Sequence, residues 1–147
     1  MEFALKEADQ AHRRKEVPIG AVVIAENRII GRGYNQTDTL QDPTAHAEMI
    51  AITAASTYIG SRRVENCTMY VTLEPCAMCA GAIVLARIPR LVYGAPDPKA
   101  GACGTLYNIV QDKRLNHRVD LKGGVLEHRC GGILSEFFKQ LRDGKKG

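Results

Sequence analysis

Two fragments of this sequence place the tightest demand on its fold. His46-Ala47-Glu48 and Pro75-Cys76-Ala77-Met78-Cys79 each stand where a helix is expected to begin, after a strand or a loop. Cys76 and Cys79 are separated by three positions, so on a helix their sulfurs share one face. The positive end of the helix dipole lowers thiol pKa values there. Two thiolates are soft ligands that select Zn²⁺ over Mg²⁺ or Ca²⁺, and His46 can supply a third ligand. A chain that builds such a centre must bring two helix starts, distant in sequence, to one point.

Glu48 refines the reading. Residues two apart on a helix are rotated by about 200°, so His46 and Glu48 cannot both meet a metal at the side of that helix. They can converge beyond its tip, with His46 on the ion and Glu48 within reach of the water on it. Two thiolates and one neutral imidazole leave Zn²⁺ without formal net charge and with one open position. Three protein ligands plus water is the catalytic pattern, and four protein ligands the structural one. The open position activates water near neutral pH, and a carboxylate beside it moves the protons. Cys67, Cys103, Cys130, His117 or His128 could close a four-ligand site instead, but none forms a second close Cys/His pair. A redox Cys-x-x-Cys is disfavoured, because Pro75 precedes the pair and no thioredoxin-like order surrounds it.

The rest of the sequence bounds this chemistry. At 147 residues, with 45% hydrophobic and 24% charged residues, one soluble globular domain spanning residues 1–147 is expected. Its longest apolar runs, such as Ala21 to Ala25 and Ala82 to Ala86, are too short to cross a bilayer. The first residues carry no secretory signal, and an odd set of five cysteines suits a reducing compartment, so the expected location is cytoplasmic. Gly31-x-Gly33 is too short for a dinucleotide loop, and no nucleotide cofactor is expected. Net charge is 20 − 16 = +4. The local basic clusters are His12-Arg13-Arg14-Lys15, Arg62-Arg63, Lys113-Arg114 with His117-Arg118, and Lys139 to Lys146. Charge alone favours solvated surface over a nucleic-acid footprint for these.

Along the chain, an opening helix ends before Pro18. The β-branched runs Ile19 to Ile24 and Arg28 to Gly33 form a hairpin with Asn27 in its turn. A helix is expected from Thr44 to about Tyr58, capped by Thr44 or by Asp42 ahead of Pro43. Cys67 to Leu73 reads as a strand, Cys76 to Ala86 as a helix, and Arg90 to Tyr93 as a short strand. Asp97 to Gly104 is loop, and Leu106 to Val110 a helical turn. Val125-Leu126 belongs to a possible last strand, and Gly132 to Arg142 is an amphipathic closing helix. Strand and helix alternation argues a helix-covered sheet whose later strands are parallel.

His-Ala-Glu followed by Pro-Cys-x-x-Cys resembles the zinc-dependent nucleobase deaminases. Within them, the chain is similar to the bacterial tRNA-specific adenosine deaminase family. Further strings carry that likeness: Glu16-Val17-Pro18-Ile19-Gly20-Ala21-Val22, Asp42-Pro43-Thr44-Ala45, Tyr70-Val71-Thr72-Leu73-Glu74, Leu115-Asn116-His117-Arg118-Val119 and Leu134-Ser135-Glu136-Phe137-Phe138. The metal-site strings are shared with guanine, cytosine and deoxycytidylate deaminases, whereas Asn116-His117-Arg118 and the Phe137-Phe138 helix point to the tRNA branch.

The resemblance implies a three-layer α/β/α, cytidine deaminase-like fold with a five-stranded mixed sheet. It implies a homodimer, and hydrolytic conversion of adenosine to inosine at the wobble position of a tRNA anticodon stem-loop. By the family pattern His46, Cys76 and Cys79 bind one Zn²⁺ per chain and Glu48 shuttles protons. Asn35 matches the residue that bonds the flipped base. Asp97 and Lys99 match the loop that meets nearby nucleotides, and Phe138 and Arg142 the helix that shapes the RNA pocket. Read by themselves, Asn35 carries a donor and an acceptor that can bond a purine edge, with a turn residue after Gly33-Tyr34 as the lesser alternative, Asp97 is an ordinary loop aspartate, and Phe137 and Phe138 are one core ring and one free ring. A free-base or nucleotide deaminase of guanine or cytosine type, with the same zinc centre, is the alternative. A zinc module that binds RNA without catalysis is a third reading.

Overall fold

Glu2–Arg13 forms the first helix, α1, and turns Ala4, Leu5, Ala8 and Ala11 inward at helical spacing. The structure is a computed structural model and describes the backbone of residues 1–146 and the side chains of residues 1–144. Strands β1 (Gly20–Ala25) and β2 (Arg28–Tyr34) pair as an antiparallel hairpin. Glu26 and Asn27 in the turn both take positive φ, the left-handed backbone that matches the twist of the two strands. Helix α2 (Ala47–Ile59), strand β3 (Thr68–Leu73), helix α3 (Ala77–Leu85) and strand β4 (Arg90–Ala95) follow. A 3-10 turn at Ile109–Gln111, the short strand β5 (Asp120–Lys122) and helix α4 (Glu127–Lys146) complete the chain.

The sheet order is β2-β1-β3-β4-β5. β1 runs antiparallel to β2 and β3, while β3, β4 and β5 run parallel. Helices α1 and α4 cover one face, joined by the Glu2–Arg129 ion pair and an edge-on contact of His12 with Phe137. Helices α2 and α3 cover the other. The largest buried cluster lies among Val23, Met69, Val71, Ile83, Ile88 and Leu91. The α/β class, the mixed five-stranded sheet and its parallel half are as the sequence led one to expect.

Four local expectations are corrected. Helix α2 begins at Ala47, not Thr44, because Asp42 Oδ1 accepts from both the amide and the hydroxyl of Thr44 and closes a tight turn there. Val125-Leu126 is not a strand: Leu126 has φ +53°, and the last strand is Asp120–Lys122. Helix α4 starts at Glu127, so Gly132 lies inside it instead of opening it. The helical turn falls at Ile109–Gln111, later than Leu106 to Val110.

Candidate metal centre and the adjoining groove

Both helices that carry the motif residues begin in the same way. His46 and Cys76 are the residues just before α2 and α3, each with extended backbone (φ −75°, ψ 152° and φ −75°, ψ 177°). An extended residue at a helix start turns its side chain toward the helix tip instead of along its flank. Gly33 lets α2 settle onto β2, since a Cβ there would lie 2.2 Å from the Ala47 carbonyl oxygen. Cys76 follows β3 after Leu73-Glu74-Pro75, at the carboxyl end of the parallel strands.

The three donors converge. His46 Nδ1 lies 3.6 Å from Cys76 Sγ and 3.5 Å from Cys79 Sγ. All three ligand atoms fall within 4.8 Å of one another. Tetrahedral zinc, with Zn–S of about 2.3 Å and Zn–N of about 2.0–2.1 Å, requires S···N separations of about 3.5–3.6 Å. The donor set therefore fits a zinc ion without rearrangement, and three protein donors leave a fourth position open. Cys67, Cys103 and Cys130, the other cysteines, are buried elsewhere and do not join this cluster.

The three donors perturb one another strongly. Cys76 is drawn down to about 3, first by the hydrogen bond from Cys79 and then by His46. Cys79, the donor of that bond, is pushed up. The bond to Cys76 raises His46 against its burial. A cation bound by these three groups takes them as thiolates and neutral imidazole, so its binding is linked to proton release.

Glu48 sits one residue inside α2 and is 4% exposed. Burial pushes its carboxyl up to about 7, offset in part by its own backbone amide and by His46. It stands beside Cys79 but is not one of the three clustered ligands. Asn35, at the end of β2, is 5% exposed and is held through its amide to the Ile19 carbonyl.

The residues expected to touch RNA gather in a separate groove. Asp97, Lys99 and Phe138 line it together with Val17, Leu73 and Leu134. Lys99, Ser135, Phe138 and Arg142 line its continuation along α4. Phe137 is buried and Phe138 is 45% exposed, so the pair divides between core and groove as read from the sequence. Asp97 is more constrained than a loop aspartate need be. Its Oδ1 accepts from the amides of Lys99 (2.9 Å) and Ala100 (3.2 Å), which closes its own turn.

The basic clusters do not share one surface. Arg62 and Arg63 precede β3, Arg90 opens β4 and Arg118 precedes β5, so all stand at the amino ends of the parallel strands. The clustered donors His46, Cys76 and Cys79, which could hold a metal ion, lie at the carboxyl ends, a strand length of about 20 Å away. Asn116-His117-Arg118 belongs to that far end, where His117 Nε2 is 2.7 Å from the Ile88 carbonyl oxygen. Several cations there are matched: Arg63 with Glu65 (3.7 Å), Arg90 with Asp120 (3.8 Å) and Arg114 with Asp112 (2.7 Å). Lys99 and Arg142 are the cations that line the groove.

Two buried carboxylates escaped the sequence reading. Glu74, 2% exposed, accepts the amides of Asp97, Cys103 and Thr105 and the Thr105 hydroxyl. Glu16, 1% exposed, accepts the amides of Asp38 (3.2 Å) and Thr39 (2.7 Å). Only their position inside recurring strings could have marked them, since a glutamate at a strand end is usually solvated.

Comparison with known proteins adds to this geometry. The family model described as MafB19-like deaminase matches residues 1–142. The tRNA-specific adenosine deaminase of Bacillus subtilis (strain 168) is 51% identical over 146 residues, covering 99% of this chain and 91% of that protein. A solved structure from a study of A-to-I editing by tRNA:A34 deaminases at the wobble position superposes with a TM-score of 0.87. It is 46% identical, over 91% of this chain and 97% of its own. Guanine deaminase from Bacillus subtilis is more distant, with TM-score 0.64, 36% identity and coverage of 71% and 67%.

Proposed function

The chain belongs to the tRNA-specific adenosine deaminase family, and we propose from this that it hydrolyses adenosine to inosine and ammonia at the wobble position of a tRNA anticodon. One observation carries the chemistry: the open triad of His46, Cys76 and Cys79, set beside the buried carboxyl of Glu48.

His46 Nδ1, Cys76 Sγ and Cys79 Sγ would hold one zinc ion per chain. Bound there, zinc supplies Lewis acidity that lowers the pKa of water toward about 7. Glu48 is the general acid–base: it accepts a proton from the attacking water and returns protons to the purine ring nitrogen and the departing amine. Its burial keeps bulk water from competing for those protons. Asn35 offers a donor and an acceptor to the edge of the flipped base. Asp97, Lys99, Phe138 and Arg142 would receive the flanking nucleotides, the ring by stacking and the cations by contact with phosphate. A base in a single-stranded loop leaves its stack at little cost, which suits an anticodon substrate.

The reading includes a homodimer, a single catalytic domain and a cytoplasmic site of action. Helix α3 supports the dimer: its nine residues carry no charged side chain, yet Leu85 is 76% exposed. A surface helix without a polar face belongs in an interface. No helix among the described residues is long and apolar enough to cross a membrane.

The test is inosine formation by zinc-loaded protein on an anticodon stem-loop with adenosine at the wobble position, beside free adenosine, adenine, guanine and cytidine. Product from the stem-loop alone supports the proposal. Turnover of a free base with a silent stem-loop would move the chain to the small-molecule branch of the same chemistry.

A further inference from the structure

We infer that Glu74 is a positioning residue for the RNA substrate, acting through the backbone of the loop that carries Asp97 and Lys99. The inference rests on the proposed role of the groove in holding RNA.

The loop runs from the end of β4 at Ala95 to the 3-10 turn at Ile109, and its own backbone bonds, such as Gly101 to the Asp97 carbonyl and Leu106 to that of Gly101, close local turns within it. Glu74 anchors it from the end of β3. One carboxylate oxygen accepts the Asp97 amide at 3.0 Å and the Thr105 hydroxyl. The other accepts the Cys103 amide at 3.0 Å and the Thr105 amide at 3.1 Å. A single side chain therefore pins the loop at Asp97, two residues past β4, and again at Cys103 and Thr105. Flanking backbone bonds fix the carboxylate: Glu74 donates to the Ala95 carbonyl and Ala102 to that of Pro75, each at 2.9 Å.

Three features separate this role from catalysis and from plain packing. Both oxygens are filled by protein donors and the residue is 2% exposed, so no lone pair is offered to a substrate. Three of the four donors are backbone amides of this loop, those of Asp97, Cys103 and Thr105, and the fourth is the Thr105 hydroxyl; of these residues Asp97 lines the groove. The bond at Asp97 fixes the residue whose own carboxylate then sets the direction of Lys99 and Ala100. Glu74 also stands two residues before Cys76, so one buried group ties the groove wall to the strand end that presents the metal ligands. Negative charge is needed: four donors converge on two oxygens, and a neutral amide would face some of those donors with N–H groups of its own.

The experiment uses zinc-loaded full chain and Glu74→Gln, with the anticodon stem-loop as substrate. The expected result is a KM raised about tenfold with kcat held within about threefold, the split of a lost binding geometry. Zinc content should stay near one per chain. Lys99→Ala in the Glu74→Gln background should add less to KM than it does alone, because both act on one loop. Amide exchange of Asp97, Cys103 and Thr105 should quicken in Glu74→Gln, which reads the anchor without reference to activity. Unchanged exchange overturns the anchor. Faster exchange with unchanged KM, or additive effects with Lys99→Ala, overturns its role in substrate binding. Zinc loss with a fall in kcat assigns Glu74 to the metal centre instead. If Glu74→Gln does not fold, Thr105→Val removes one donor at an exposed residue and must shift KM and exchange in the same direction. A wild-type chain silent on the stem-loop refutes the proposed function, while the exchange measurement still decides the anchor.

Discussion

A β-carbon built on Gly101 would lie 2.5 Å from the carboxylate carbon of Glu74. The anchoring carboxylate and the loop it anchors are thus in direct van der Waals contact, and the glycine is required by space and not by backbone angle. The Asp97 carbonyl oxygen stands 2.6 Å from the same point, so backbone as well as side chain would have to move. Gly101→Ala should therefore destabilise the fold by about 1–3 kcal/mol through overpacking. Urea unfolding at neutral pH measures this, and an unchanged midpoint would mean that the loop yields freely.

Glu48 is predicted to be needed for turnover and dispensable for the metal. It is not among the three atoms that converge at the His46, Cys76 and Cys79 cluster. Glu48→Gln should lower kcat by about 10²–10⁴-fold, the usual contribution of a positioned acid–base group. Metal analysis should still find about one zinc per chain. Retention of most activity would refute the proton-transfer role.

Glu16 gives a pH dependence with a definite sign. Burial pushes its carboxyl up, but hydrogen bonds from Thr39 and Asp38 outweigh that and hold it below the ordinary glutamate value. The native state then binds this proton more weakly than the unfolded chain. The stabilisation is fully present above the unfolded pKa of about 4.3 and is lost as pH falls through the lower folded value. The difference in unfolding free energy between wild type and Glu16→Gln should be constant from neutral pH to about 5 and shrink below about 4.3. A difference that grows on acidification would reverse the assignment.

RNA binding should depend on salt through the groove cations and not through the far end of the sheet. Lys99→Ala or Arg142→Ala should each reduce the slope of log affinity against log salt by about 0.7, one phosphate contact on a single strand. Arg118→Ala, at the amino end of β5, should leave the slope unchanged. Fluorescence titration of a labelled stem-loop across a salt series measures all three. Equal effects would mean that the footprint wraps the whole sheet.

Much of the molecule was legible in the sequence, for local reasons. The β-branched runs on either side of Ala25-Glu26-Asn27 give a hairpin because so short a break between two strands leaves few alternatives. Cys76, Cys79 and His46 could be grouped because thiolate, imidazole and helix-start position are properties of the residues themselves. Errors arose where a side chain was engaged by a neighbour. Asp42 looked like a helix cap but closes a turn on Thr44, and α2 starts later. Gly132 reads as a helix start and lies within α4, whose other residues carry the helix through it.

The sequence by itself determined the donor chemistry, the order of most strands and helices, and the separation of Phe137 from Phe138. It determined these because ligand softness, hydrophobic periodicity and turn preference are written in residue type and spacing. Only the tertiary structure decided that His46 Nδ1 faces both sulfurs, that the Arg118 cluster lies away from the metal site, and that Glu74 and Glu16 hold loops. Those last two are acceptors for backbone amides. Every residue but proline carries such a donor, so nothing in residue type marks which amides a buried carboxylate will find until the chain has folded around it.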